Sequence, residues 1–153
     1  MTGKLTAIRH PELDSLYAFW HQNCPDGGIP MSSDMEPADL RRWLGHMLIM
    51  DVVAVKIDDA APSEKNFRYA YYGRSLAEAF GENRLGQTLE RLPGNQRKIL
   101  ESEYELVRLS GEPMHRVYTA DFDGVERTWE RLVLPLTGDG ESVDKILVAA
   151  YEL

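Results

Sequence analysis

Apolar residues recur along this chain with two different periods, and the points where the period changes mark out its elements. From Pro11 to Asn23, Leu13, Leu16, Tyr17 and Trp20 fall at i, i+3, i+4 and i+7. That spacing is one face of an α-helix, and Pro11 suits its first turn. Asn23 to Pro30 holds two prolines and two adjacent glycines, which predicts a loop. After Asp34 and Pro37, the helical spacing returns at Leu40, Trp43, Leu44 and Met47 and predicts a short second helix ending near Gly45.

Met47 to Val55 is a continuous, β-branched apolar run and predicts a strand. Phe67 to Gly73 predicts a second, with strict alternation placing Phe67, Tyr69 and Tyr71 on one face. The polar tract Asp58 to Lys65 is then the long loop of a hairpin. Ser75 to Phe80 predicts a one- to two-turn helix stopped by Gly81, with a connector at Leu85 to Leu89. Pro93 opens the longest helix, which runs to about Leu109 and is closed by Gly111 and Pro113. Leu100, Tyr104 and Val107 form its inner stripe, Ile99 and Leu106 widen it, and Arg97 stands four residues before Glu101. Met114 to Phe122, Glu126 to Leu136 and Lys145 to Leu153 predict three strands. The turn chemistry of Asp123-Gly124 and Thr137-Gly138-Asp139-Gly140 predicts that they pair as antiparallel hairpins.

Composition narrows the partners. A net charge of −8 opposes a broad nucleic-acid or anionic-membrane surface. Cys24 is the single cysteine, so an intrachain disulfide is impossible. The opening MTGKLTAIRHPELD lacks the apolar centre of a signal peptide, and no run approaches the roughly 20 apolar residues of a membrane helix. At 153 residues, one compact domain in the cytoplasm is expected, with residues 1–46 as flanking helices and loop and 47–153 as the core.

The order of elements is two helices, two strands, short helices, one long helix and three hairpin-linked strands. It resembles the α+β PAS domain, a five-stranded antiparallel sheet whose second and third strands are joined by a helical connection. Ile29-Pro30 followed by Glu36-Pro37-Ala38-Asp39-Leu40, Phe67-Arg68-Tyr69 ending at Gly73, Gly86-Gln87-Thr88-Leu89, and Glu130 to Thr137 sharpen the likeness. Over about Leu13 to Leu153 the chain resembles a stand-alone proteobacterial PAS-like family of largely unassigned function. The resemblance implies a sensory role and a ligand cavity between the sheet and the helices, although a fold does not fix a function.

By that analogy Tyr69, Tyr71, Leu100, Tyr104, Tyr118 and Arg131 are cavity candidates, because a pocket needs apolar and aromatic walls with a few convergent polar groups. The competing reading is that they fill a solid core. Arg116 and Arg131, in adjacent predicted strands, either bind a ligand carboxylate or phosphate or form cross-strand ion pairs with Glu126 or Glu130. His10, His21, His46 and His115 are scattered singly, without metal-ligand spacing. The long helix carries no histidine for the proximal ligand of haem-binding PAS domains. Cys24 is followed by Pro25 and precedes the sheet, unlike the reactive cysteine of flavin photosensors, so no cofactor is expected.

No nucleophile elbow or phosphate-binding loop is present. His115, Asp121 and Tyr118 would be the trio of a cone-fold hydratase or isomerase, but Tyr118 has the wrong strand parity. The stripe Leu13, Leu16, Tyr17 and Trp20, with Phe19 beside it, is wide enough for a homodimer interface as well as for packing onto its own domain. The expectation is a non-enzymatic module that senses a small molecule and signals through contact with another protein. A protein-interaction adaptor with a filled core and a small hydratase or isomerase are the alternatives.

Overall fold

The structure, a computed structural model, describes residues 7–55, 64–122 and 124–153. Helix α1 spans Pro11–Gln22, and its first free N–H group, that of Glu12, donates to the His10 ring at 3.1 Å. Strands β1 (Met47–Val55) and β2 (Glu64–Tyr72) follow, then α2 (Arg74–Phe80), α3 (Gly94–Ser110), β3 (Met114–Phe122), β4 (Val125–Thr137) and β5 (Val143–Glu152). The five strands form one antiparallel sheet in the order β2-β1-β5-β4-β3. This is the expected PAS-like α+β arrangement, with β3, β4 and β5 as the hairpin-linked run. Of the tract expected to be the β1–β2 loop, Glu64 and Lys65 already belong to β2, and residues 58–63 lie outside the described residues, as does Asp123.

Each face of the sheet has its own cover. On the inner face, Leu48, Met50, Phe67, Tyr69, Val133, Ile146 and Val148 pack with Leu76 of α2 and with Leu100, Tyr104 and Val107 of α3. On the outer face, Met47, Leu132, Leu134, Leu136, Leu147 and Ala149 pack with α1 and with Met35, Leu40 and Trp43. Strand β4 is therefore buried on both sides along Leu132 to Leu136, which explains its unbroken apolar run. Leu13, Leu16, Tyr17 and Trp20 are each at most 3% exposed against this second core, and the Trp20 indole N–H donates to the Pro135 carbonyl at 3.0 Å. Of the two uses read for this stripe, a homodimer face and packing onto its own domain, the structure shows the second. A partner approaching α1 would meet Asp14, Ala18 and His21 instead.

Three local expectations change. The second helical pattern is not an α-helix: Ser32–Asp34 and Leu44–His46 are single 3-10 turns, and the N–H groups of Trp43 and His46 reach back three residues, to Leu40 and Trp43. Consecutive tight turns bring Leu40, Trp43 and Met47 onto the sheet as a helix would, so the spacing is the same. On α3, Leu100, Tyr104 and Val107 are buried as expected, and Arg97 pairs with Glu101 at 3.6 Å. Ile99 and Leu106, however, lie beyond the edge of the stripe and are 48% and 61% exposed.

The third change is in β2. Ile49 pairs with Tyr71 but Met50 pairs with Tyr69, so Ala70 is an extra residue in the ladder. A bulge of one residue reverses the facing of everything beyond it. Tyr71 consequently packs with the outer core and donates its hydroxyl to the Leu44 carbonyl at 3.0 Å, while Tyr72 joins Tyr69 on the inner face.

The motif glycines have matching structural causes. Gly86 adopts φ +83° and donates to the Tyr69 carbonyl at 2.8 Å, while Tyr69 N–H donates to Gln87 at 2.9 Å, so this segment closes the open edge of β2. Gly73 ends β2 against the chain entering β1, where a Cβ would stand 2.5 Å from the Gly45 carbonyl oxygen and 2.7 Å from those of Leu44 and Met47. These are backbone atoms that cannot swing aside. Gly73→Ala is therefore expected to lower stability by about 1–3 kcal/mol, as overpacking does, measured as the shift in a urea unfolding midpoint. An unchanged midpoint would show that the β1 entry is slack.

Candidate functional site

The inner face is not packed solid. Between it and the α2–α3 connection lies a cavity of about 940 Å³. The sheet supplies Leu48, Tyr69, Tyr72, Val148 and Ala150, and β3 and β4 supply Arg116, Tyr118 and Arg131. Helix α3 contributes Gln96, Leu100 and Tyr104, and the connection contributes Phe80, Arg84 and Leu92. Six of the seven residues singled out from the sequence as ligand-binding therefore meet here: Tyr69, Leu100, Tyr104, Arg116, Tyr118 and Arg131. Tyr71 does not, because the bulge at Ala70 turns it away, and Tyr72 occupies the place that strict alternation assigned to it.

The polar centre of this wall is a cluster of three charges. Arg116 and Arg131 are directly paired across β3 and β4, on the same face. Both reach Glu103 of α3: Arg116 Nη1 donates to Oε2 at 2.6 Å, and Arg131 Nη2 is in contact with Oε1. The arginines thus do form ion pairs, but with Glu103 rather than with Glu126 or Glu130. Glu103 stands three residues after Leu100 and four before Val107, inside the apolar stripe of α3, and it is 8% exposed. An acidic residue at an inward helical position was the available signal for it, since a buried carboxylate needs a cationic partner.

Arg131 is the more enclosed of the two guanidiniums, its side chain 11% exposed against 46% for Arg116. Its Nε has no hydrogen-bond partner among the described residues. The guanidinium lies 5.6 Å from the centre of the Tyr118 ring, a cation–π arrangement. Burial pushes the Arg131 pKa down to about 10, which leaves it charged at neutral pH. Burial likewise raises the phenols of Tyr69, Tyr72 and Tyr104 above the ordinary tyrosine value, and brings Tyr118 to about 12, so all four stay neutral. The cavity offers aromatic surface, neutral hydroxyls and fixed positive charge.

The preceding residue of β4, Glu130, points the other way. It is fully buried beneath the outer cover, where its carboxylate accepts the backbone N–H groups of Arg9 at 2.8 Å and His10 at 2.6 Å and lies 2.6 Å from His115 Nε2. It therefore fastens the chain just before α1 to the sheet. His115 and Tyr118 accordingly face opposite sides, as their parity requires, and Asp121 accepts from Gly124 N–H at 2.7 Å in the β3–β4 turn, so this trio does not converge. Cys24 donates its thiol to the Trp20 carbonyl at 3.6 Å, and burial pushes its pKa up to about 11, which disfavours the reactive thiolate.

A model of the PAS_5 family of PAS domains matches residues 8–150. The chain belongs to this family. Among solved structures, the PAS domain is similar to a light-oxygen-voltage domain from work with a flavin analogue, at 17% identity over 76% of this chain and 82% of that one, with a TM-score of 0.48. It is also similar to the LOV protein of Rhodobacter sphaeroides, at 15% identity over 74% of this chain and 65% of that one, with a TM-score of 0.44. A variant of that protein gives 15% identity, the same coverage and a TM-score of 0.45. No curated protein matches the sequence. Among the described residues, no helix of this PAS domain is long and apolar enough to cross a membrane.

The Glu130 anchor has a pH signature. Burial alone would raise its pKa, but the hydrogen bonds from Arg9, His10 and His115 outweigh it and hold the carboxyl below its ordinary value. A lowered folded-state pKa contributes stability above the unfolded value, about 4.3, and that contribution disappears as pH falls through the folded value. Glu130→Gln should therefore cost about 1–3 kcal/mol at pH 7, because it puts a donor against two buried N–H groups. The difference from the wild type should shrink steadily below about pH 4. Urea unfolding of both proteins across that range measures it, and a gap independent of pH would show that Glu130 is not ionised in the fold.

Proposed function

We propose that this PAS domain is a non-enzymatic sensory module that takes up a small molecule between α3 and the inner face of the sheet. The observation that carries this reading is the cavity of about 940 Å³, walled by aromatic side chains and holding the enclosed Arg131 with an unpartnered Nε. A buried, incompletely satisfied cation is costly unless a further group meets it. Apolar walls with a few placed polar groups are the general make-up of small-molecule sites.

Helix α3 is the element through which occupancy would be passed on. It lines the cavity at Ile99, Leu100 and Tyr104, while its outer surface exposes Leu106 and Leu109, the last at 69%. A ligand that shifts α3 changes the presentation of that apolar surface to a partner protein, provided it binds one position of the helix better than another. The exposed stripe is also what favours the second reading, an adaptor that uses this surface without any ligand.

A metabolite library screened by thermal shift on the wild type and on Tyr104→Ala separates the two. The sensory reading expects at least one compound to raise the wild-type midpoint by mass action, and expects the variant, which loses a cavity wall, to lose or alter that response. If the wild type responds to nothing and Tyr104→Ala merely loses the roughly 3–5 kcal/mol of a truncated core aromatic, the adaptor reading stands.

A further inference from the structure

We infer that the occupant of the cavity is an amphipathic monocarboxylate, its carboxylate on Arg131 and its aliphatic or aromatic body against the tyrosines. The inference rests on the sensory reading above and adds the chemical class. Its basis is charge balance. Two guanidiniums, of Arg116 and Arg131, share the single carboxylate of Glu103, which leaves one positive charge uncompensated at the cavity wall.

The other charged residues of the lining do not supply the missing charge to Arg131. Glu82 is 2.5 Å from Arg84, Glu78 is 3.3 Å from Arg74, and Asp121 is engaged with Gly124 N–H. Glu130, adjacent to Arg131 in sequence, is on the opposite face with His115. One monoanion therefore neutralises the cluster of Arg116, Arg131 and Glu103. A phosphate monoester, carrying nearly two negative charges at neutral pH, would overshoot neutrality.

Geometry points the same way. Arginine presents planar N–H donors that match a carboxylate, and charge-assisted bonds of this kind are the strong ones. Arg131 lines the cavity, and its buried Nε N–H has no protein partner among the described residues. Leu48, Leu100, Val148, Ala150 and the rings of Tyr69 and Tyr104 give the lining apolar surface for the body of the ligand. A small hydrophilic anion would leave these walls unfilled.

Isothermal titration calorimetry with 4-phenylbutyrate and decanoate, each alongside its primary amide, tests the class. The acids should bind at least tenfold more tightly than the amides. Arg131→Met leaves Glu103 neutralised by Arg116, so the protein should fold, and it should lose at least tenfold in affinity for the acids but not for the amides. Arg116→Gln removes the surplus charge while leaving Arg131 and Glu103 in place, and it should also weaken the acids selectively. Should the amides bind the wild type as tightly as the acids, or Arg131→Met keep wild-type affinity for the acids, carboxylate recognition is wrong while the cavity remains a ligand site. Should neither series bind, the monocarboxylate class is overturned, and the library screen described above then decides whether the sensory reading falls with it.

Discussion

The contact between Arg131 of β4 and Glu103 of α3 joins by charge two layers that the rest of the fold joins by apolar burial. Elsewhere on α3, Val107 and Leu100 meet apolar residues of the sheet, and dispersion and hydrophobic burial close the gap. At Glu103 a carboxylate and two guanidiniums occupy the interface instead. Burying charged groups carries a large desolvation cost, which the three residues offset by pairing with one another. The cavity lies beside this cluster, with Arg116 and Arg131 in its lining.

Strand β4 extends the argument to the other side of the sheet. Consecutive residues of a strand face opposite ways, so Glu130 and Arg131 put opposite charges into opposite layers. Glu130 ties down the entry to α1 and Arg131 faces the cavity. A shift of β4 large enough to re-aim Arg131 would also move the anchor of α1. The sequence segment Glu130 to Thr137 thus links the two covers of the sheet, and its far end meets the N-terminal segment again where Thr137 N–H donates to the Pro30 carbonyl at 3.1 Å.

How far the sequence revealed this depends on what each residue's signal was. Strands β1, β4 and β5 and helix α3 were legible because burial imposes their periods directly, β3 because turn residues bound it, and the stops at Gly81 and Gly111 because both adopt the left-handed conformation that glycine favours. The turns between Met35 and Met47 were misread as a helix because buried residues at i, i+3 and i+7 satisfy either geometry. Tyr71 was misplaced for a different reason: a bulge leaves no mark in the composition of a strand, and only the pairing of Met50 with Tyr69 exposes it. The α1 stripe was correctly read as apolar, but its hydrophobicity could not say whether the covering surface was a partner or the outer face of its own sheet. Glu103 carried a usable signal, a carboxylate within an apolar helical stripe, whereas its partnership with two strands distant in sequence is a product of the tertiary fold.

The central claim is that the space beside Arg131 is a ligand site and not a loosely packed core. A crystal structure resolving ordered solvent, obtained from freshly purified protein soaked with 4-phenylbutyrate, examines it most directly. The account predicts non-protein density between α3 and the sheet, with an oxygen about 3 Å from the Arg131 guanidinium and Tyr104 and Tyr118 lining it. Tyr104 and Tyr118 folded inward to fill the space, with Arg131 Nε bonded to a protein group, would contradict it.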